Sequence, residues 1–138
     1  MARVLKINHV GIAVADTANA RSFWESALGL TVDHVEDVLA QKSQVTFIPV
    51  SESEIELVTP LAAESSVAKF LADRGPGMHH LCLQVDDIAG MLDDLKKKNI
   101  RLINETPLQE PGRLMAFVHP KSTGGVLVEL YQVLQDSH

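Results

Sequence analysis

Two histidines and two glutamates recur at matching positions in the two halves of the chain. His9 lies in a short apolar segment, and His80 lies in a similar segment 71 residues later. Glu56 and Glu129, each flanked by aliphatic residues, are 73 residues apart. Imidazole nitrogens and carboxylate oxygens bind divalent ions such as Zn²⁺, Co²⁺, Mn²⁺ and Ni²⁺. The repeat therefore predicts that these four residues bind one divalent metal ion.

The repetition of these residue types is what favours a metal site over a structural role. A single histidine at the start of a strand is more often a hydrogen-bonded structural residue, and a single glutamate in a strand usually faces solvent. A purely structural duplication needs to keep apolar and turn positions. It has no need to keep His with His and Glu with Glu. Four protein ligands around an octahedral ion also leave two coordination positions for a substrate.

The alternation of side chains along a strand indicates how these residues are presented. The histidine of each segment shares a face with small or polar residues: His9, Gly11 and Ala13 in the first half, and His80, Cys82 and Gln84 in the second. The branched residues between them are expected to pack under helices. Glu56 and Glu129 lie between aliphatic residues and point away from that packing face. We therefore expect all four candidate ligands to line one concavity.

Both halves follow the same order of elements, which predicts two βαβββ modules. After each opening strand comes a helix with candidate caps and an exit residue, namely Asp16, Thr17 and Gly29 in the first half and Asp86, Asp87 and Asn99 in the second. Strand-like runs then follow at 31–37, 44–50 and 54–59, and again at 101–104, 114–119 and 126–132. The prediction is an α+β fold in one domain, residues 1–138, with module one at about 4–60, a linker helix at about 65–74 and module two at about 78–133.

Composition narrows the function classes. The chain has 138 residues, 46% of them hydrophobic, and a formal net charge of −6. That charge argues against a sequence-independent nucleic-acid binder or a membrane-surface protein, which display basic patches. The single cysteine, Cys82, forms no internal disulfide, and the N-terminus has no long apolar stretch of the kind found in signal peptides. We expect a cytoplasmic protein.

One lysine outside the repeat is a candidate for substrate binding. Lys121 follows His119 and Pro120 at the end of a strand and precedes a turn with two glycines. A lysine placed there can reach an anionic substrate. A solvated surface lysine is an equally good interpretation of the same pattern.

Several motifs, which together span nearly the whole chain, resemble those of a known family. They are His9-Val10-Gly11-Ile12-Ala13-Val14, Ile55-Glu56-Leu57-Val58-Thr59-Pro60-Leu61, Ser66-Val67-Ala68-Lys69-Phe70-Leu71, Gly77-Met78-His79-His80, and His119-Pro120-Lys121-Ser122 with Gly125-Val126-Leu127-Val128-Glu129-Leu130. The first motif resembles the vicinal oxygen chelate superfamily in general. The others together resemble its methylmalonyl-CoA epimerase family.

This resemblance implies a fold and a site. The implied fold pairs two βαβββ modules into a partly open eight-stranded barrel around one divalent metal ion (cobalt, manganese, nickel or zinc). His9, Glu56, His80 and Glu129 stand at the ligand positions, Glu56 where some members carry glutamine. The resemblance also implies an acyl-CoA substrate, with Lys121 near its anionic portion, and a homodimer.

The implied reaction interconverts (R)- and (S)-methylmalonyl-CoA by proton transfer at the carbon between carboxylate and thioester. A metal-stabilised enolate lies between the two epimers. Glu129 resembles one of the two proton carriers that this inversion needs. Some family members supply the other from a glutamate on the second strand after the first helix. The corresponding stretch here, residues 41–47, contains no acid, so the second carrier stays open.

Two other functions fit parts of the same pattern. A glyoxalase-type lactoylglutathione lyase would use the same four ligands and similar enolate chemistry. A metal-free ligand-binding module of the resistance type would use the cavity alone. The four ligand-type residues argue against the second alternative, and the motifs around Ser66 and Lys121 favour the epimerase over the lyase. The native metal and the exact acyl group stay open at this point.

Overall fold

A computed structural model of the protein describes residues 1–135. It contains eight strands: β1 (Val4–Ala13), β2 (His34–Val38), β3 (Ser43–Val50), β4 (Ser53–Pro60), β5 (Gly77–Val85), β6 (Leu108–Glu110), β7 (Arg113–Val118) and β8 (Val128–Val133). The α-helices are α1 (Thr17–Arg21), which continues as a π-helical segment (Ser22–Ala27), α2 (Ser66–Arg74) and α3 (Ile88–Lys97). Short 3₁₀ turns occupy Leu39–Gln41 and Pro120–Ser122.

The chain forms two compact units. The first unit contains residues 9–79, and the second contains residues 1–8 together with the chain from residue 80 onward. Each unit has a strand, a helix and three further strands in that order, as the sequence predicts. The assignment of residues 1–138 to a single domain stays a prediction.

In the first unit, β1 pairs in parallel with β4, and β4 and β2 both pair antiparallel with β3. One face of this sheet packs under the first helix. Its core contains Val14, Ile48 and Leu57, with Trp24 packed against them. Ile12 of β1 and Val14 just after it therefore pack in the core that contains Trp24, as expected from the alternation along the strand.

The second unit repeats this arrangement. Strand β5 pairs in parallel with β8, and β8 and β6 both pair antiparallel with β7. The core under α3 contains Val85, Ile88, Leu92, Ala116, Val118 and Leu130. The first residues of the chain also belong to this unit, where Asn8 Nδ2 donates to Gln84 Oε1 at 3.0 Å and Arg3 N donates to Asp86 Oδ1 at 2.8 Å.

Side-chain caps begin the α-helices at predicted residues. The carboxylates of Asp16 and Asp87 accept hydrogen bonds from Asn19 N and Gly90 N, at 3.2 Å and 3.0 Å. These contacts satisfy backbone donors of the first turn. Gly29 takes a φ of 80°, which suits a helix exit. Among the described residues, no helix is both long and apolar enough to cross a membrane.

The strand predicted at 101–104 is wrong. Only Leu102 forms an isolated bridge there, to Val118, and the strand that pairs with β7 is β6. Asn104 interrupts the ladder because its side-chain Oδ1, rather than a backbone carbonyl, accepts the Phe117 N–H at 3.0 Å. Gly112, with a φ of 77°, then turns the chain between β6 and β7.

Candidate metal centre

The first unit brings one histidine and one glutamate together. The parallel register of β1 and β4 places Glu56 opposite Gly11, which is two residues beyond His9 on the same face. Both ligand-type residues are buried, with 4% of His9 and 9% of Glu56 exposed. His9 Nδ1 lies 3.1 Å from Glu56 Oε2.

The second unit contains the same pair in the same register. Glu129 on β8 lies opposite Cys82, which is two residues beyond His80 on β5. His80 Nε2 lies 3.4 Å from Glu129 Oε1, and both side chains are at least nine-tenths buried. The sequence repeat therefore corresponds to a repeated three-dimensional pair, although the two histidines use different ring nitrogens toward their carboxylates.

The spacing within each pair fits two ligands of one ion. Neighbouring ligands that each lie about 2.1 Å from an octahedral ion are about 3 Å apart. Both pairs are close to this value. Burial of a carboxylate is costly unless a positive charge or hydrogen bonds compensate it, and a divalent cation would offset that cost. The donor chemistry of the pairs thus fits the metal ion that the sequence predicts.

Two phenylalanines beside the glutamates were missed by sequence reasoning. Phe47 on β3 lies directly opposite Glu56, and Phe117 on β7 lies directly opposite Glu129. Directly opposite residues share a face, so each glutamate has an aromatic neighbour on one side. The two phenylalanines are 70 residues apart, close to the offset of the histidines. Extending the repeat to the middle strands would have found them.

Further along the same face of the second unit lies a tyrosine with an arginine beside it. Tyr131 is two residues beyond Glu129, and Arg113 Cζ lies 6.0 Å from the centre of its ring. Burial raises the pKa of the Tyr131 hydroxyl above its ordinary value, and the charge of Arg113 opposes this rise. Tyr131 therefore presents a neutral hydroxyl to this face.

Lys121, the remaining sequence candidate, and the start of the stretch that lacks an acid both lie in 3₁₀ turns. Lys121 is exposed in the second unit, in the 3₁₀ turn that follows β7. Gln41, in the stretch that lacks an acid, lies in the 3₁₀ turn before β3, and its carbonyl accepts a hydrogen bond from Ser43 Oγ at 3.0 Å.

The fold and the repeated pairs define a class of paired βαβββ proteins, and sequence comparison gives the same class. A profile of the Glyoxalase/Bleomycin resistance protein/Dioxygenase superfamily matches residues 8–117. The chain belongs to this superfamily, which is the vicinal oxygen chelate class expected from the motifs.

Within the superfamily, the chain is similar to methylmalonyl-CoA epimerases. It is 40% identical to the mitochondrial methylmalonyl-CoA epimerase of Mus musculus over 129 residues, which cover 92% of this chain and 72% of that protein. The crystal structure of methylmalonyl-CoA epimerase from Mycobacterium tuberculosis is 36% identical with a TM-score of 0.88, covering 96% of this chain and 90% of that one. A methylmalonyl-CoA epimerase in complex with methylmalonyl-CoA and NH4+ is 29% identical with a TM-score of 0.86, covering 95% and 96% of the two chains.

This chain therefore belongs to the methylmalonyl-CoA epimerase family. Membership confirms the predicted family, the α+β fold class of two βαβββ modules and the assignment to the isomerases.

Proposed function

We propose that this protein is a metal-dependent epimerase that interconverts (R)- and (S)-methylmalonyl-CoA. The observation that carries the proposal is the repeated pair, in which a buried histidine and a buried carboxylate lie at ligand spacing in each unit. Family membership supplies the reaction type. In this proposal His9, Glu56, His80 and Glu129 hold one divalent ion, drawn from cobalt, manganese, nickel and zinc.

The proposed substrate is an acyl-CoA with a carboxylate on the reacting carbon. One relative of similar fold was solved with methylmalonyl-CoA, which supports this choice. When bound, the divalent ion would supply electrostatic stabilisation for the negative charge that develops on the substrate as its α-proton leaves. The side chains of the protein must then position the substrate and move the proton.

Glu129 is the proposed proton carrier on one side of the reacting carbon. It is buried on the same face as Phe117 and Tyr131, which lie close to it along the sheet. Phe117 is directly opposite Glu129, so the Cβ atoms of the two residues are about 5 Å apart. Because burial raises the pKa of the Tyr131 hydroxyl above its ordinary value, this hydroxyl is neutral beside Glu129.

Inversion also requires a proton transfer on the opposite side of the carbon. Residues 39–50, which include the second strand of the first unit after its helix, contain no carboxylate. The second transfer in this protein therefore does not use an acid from that stretch.

Solvent-deuterium exchange tests the proposal directly. The metal-loaded protein should exchange the α-proton of methylmalonyl-CoA in ²H₂O, and protein treated with a chelator should not. A parallel reaction with methylglyoxal and glutathione tests the lyase alternative. Exchange that is absent with every metal, or lactoylglutathione formation without exchange, would contradict the epimerase assignment.

We also propose that the protein is a cytoplasmic homodimer. The single cysteine, Cys82, is buried and has no second cysteine with which to form an internal disulfide, in keeping with a reducing compartment. Leu5 and Ile7, two apolar residues on one face of β1, are about half exposed at 50% and 47%, and neighbouring exposed apolar residues favour an interface. Light scattering of the wild type and of Leu5→Glu tests the dimer. A monomeric wild type would disprove it.

A further inference from the structure

A basic cluster lies at the end of β7 in the second unit. The isolated bridge between Leu102 and Val118 places Arg101 directly beside His119, and His119 N donates to the Arg101 carbonyl at 2.9 Å. The 3₁₀ turn that begins after His119 carries Lys121. Arg101 and Lys121 are both exposed, and neither has an ion-pair partner among the described residues.

Hydrogen bonds hold this cluster in one geometry. Ser122 Oγ accepts the Arg101 N–H at 2.9 Å, which ties the two chain segments together. The Thr123 hydroxyl closes the turn by accepting the Val126 N–H at 3.0 Å and donating to the Val126 carbonyl. Arg101 and Lys121 are thus carried on a backbone frame that is fixed before any ligand arrives.

His119 adds a neutral hydrogen-bond donor to the two cations. Its Nδ1 accepts the Lys121 N–H at 3.1 Å, so the ring proton of the neutral form is on Nε2. Desolvation, followed by the charges of Arg101 and Lys121, lowers the pKa of His119. The unprotonated ring keeps the hydrogen bond to the turn.

The cluster lies on the same face of the sheet as Glu129. Ile103 N donates to the Phe117 carbonyl at 2.8 Å, so residues 101 and 103 align with residues 119 and 117. Because side chains alternate, Arg101 and His119 share the face of Phe117, and Phe117 shares that of Glu129. Arg101 is two strands away from Glu129 in the sheet and is displaced from it by two residues along the strand direction. The backbones of the two residues are therefore roughly 12 Å apart.

We propose that Arg101, His119 and Lys121 form the site that binds the phosphate groups of the CoA portion of the substrate. The proposal rests on the proposed function, because that function defines the substrate as a CoA thioester. A guanidinium binds phosphate oxygens through two parallel hydrogen bonds, and a lysine adds a mobile point charge. The pantetheine arm, a flexible chain with two amide groups, would bridge the distance between this cluster and the reacting carbon.

A comparison of two thioesters tests this site. Methylmalonyl-CoA carries all the phosphates, whereas methylmalonyl-pantetheine carries none. Arg101→Gln should raise KM for methylmalonyl-CoA on the order of tenfold, with kcat little changed, and should leave KM for methylmalonyl-pantetheine within about twofold of wild type. Lys96→Gln removes an exposed positive charge from the end of α3 and serves as the matched control, with both KM values unchanged.

Calorimetric titration with free CoA and with dephospho-CoA gives a readout that does not depend on turnover. Arg101→Gln should weaken CoA binding by a similar factor, and dephospho-CoA shows whether the 3′-phosphate or the diphosphate is the group bound. If Arg101→Gln raised KM equally for both thioesters, or left the affinity for CoA unchanged, the phosphate site would be disproved. A wild type that binds CoA through Arg101 but fails to epimerise would instead disprove the proposed function.

Discussion

The two glutamates occupy equivalent register positions, but we assign proton transfer only to Glu129. An amide oxygen can still bind a metal ion, but an amide cannot accept a proton from carbon. Glu129→Gln should therefore keep its metal and lose turnover by about 10² to 10⁴. Glu56→Gln should stay much closer to wild type, because Glu56 acts only as a ligand in this proposal.

Elemental analysis of both variants must precede the kinetic comparison, because a lost metal would imitate a lost base. The rate of α-proton exchange then gives the result. If fully metallated Glu129→Gln exchanges the proton at a near-normal rate, Glu129 is a ligand only.

Lys121 should contribute to KM rather than to turnover. Lys121→Ala removes a charge that lies outside the buried pairs, so KM for methylmalonyl-CoA should rise several-fold with kcat nearly unchanged. The difference from wild type should shrink as salt is added, because salt screens exposed charges. Steady-state kinetics at low and high ionic strength measure both effects. Identical kinetics in variant and wild type would show that Lys121 is a solvated surface residue that does not bind the substrate.

The titration of His119 reports on the same cluster. Arg101→Gln removes a positive charge that opposes protonation of the ring, so the pKa of His119 should rise. It should remain below its ordinary value, because desolvation is the larger cause of the shift. NMR titration of the imidazole resonances measures this, with Lys96→Gln as the control. A pKa that does not move would place Arg101 too far from His119 to act on the same ligand.

At the residue scale, the sequence predicted the members of each pair but not their neighbours. Strand alternation and the repeat offset suffice to place His9 and Glu56 on one face, since both follow from the order of residues alone. Phe117 lies beside Glu129 because of the register between β7 and β8. Register depends on turns and on packing across strands, which a single sequence specifies weakly.

At the element scale, replacing the capping residue of α3 measures how much the cap contributes to the free energy of unfolding. Asp87 accepts the Gly90 N–H at the start of this helix. Asp87→Ala should lower the free energy of unfolding by about 1 kcal/mol. Asp93→Ala is the matched control, because it removes a carboxylate of the same helix that makes only an exposed ion pair with Lys97. Urea denaturation of the metal-free proteins measures both, and equal losses would show that Asp87 does not act as a cap.

Helices were predicted more accurately than strands for a physical reason. A helix begins and ends through local chemistry, such as the Asp16 carboxylate and the positive φ of Gly29. A strand exists only where a partner pairs with it. Residues 101–104 have the composition of a strand, but the Asn104 side chain takes one of the backbone donors needed for a ladder. The short β6 forms instead, on the other side of Pro107 and next to the Gly112 turn.

At the scale of the whole molecule, the buried pairs couple metal binding to stability. The chain carries a net charge of −6, and two of its carboxylates are buried in the pairs. A divalent ion that binds only the folded state stabilises it by mass action, by about 2.7 kcal/mol at a hundredfold excess over Kd. The metal-free protein should therefore gain several degrees in melting temperature with cobalt, manganese, nickel or zinc.

The source of that gain can be traced with single substitutions. His9→Ala and His80→Ala each remove one imidazole, one from each unit, and each should abolish most of the metal-dependent rise in Tm. His34→Ala removes an exposed imidazole that stacks on Phe47 and should leave the rise intact, even if it lowers Tm in the absence of metal. A single ion held by both pairs requires both histidines. If His9→Ala abolished the metal-dependent rise in Tm and His80→Ala did not, the metal site would belong to the first unit alone. Melting curves with metal analysis of each variant distinguish these outcomes, and a wild type that neither binds nor responds to any of the four ions would disprove the metal centre.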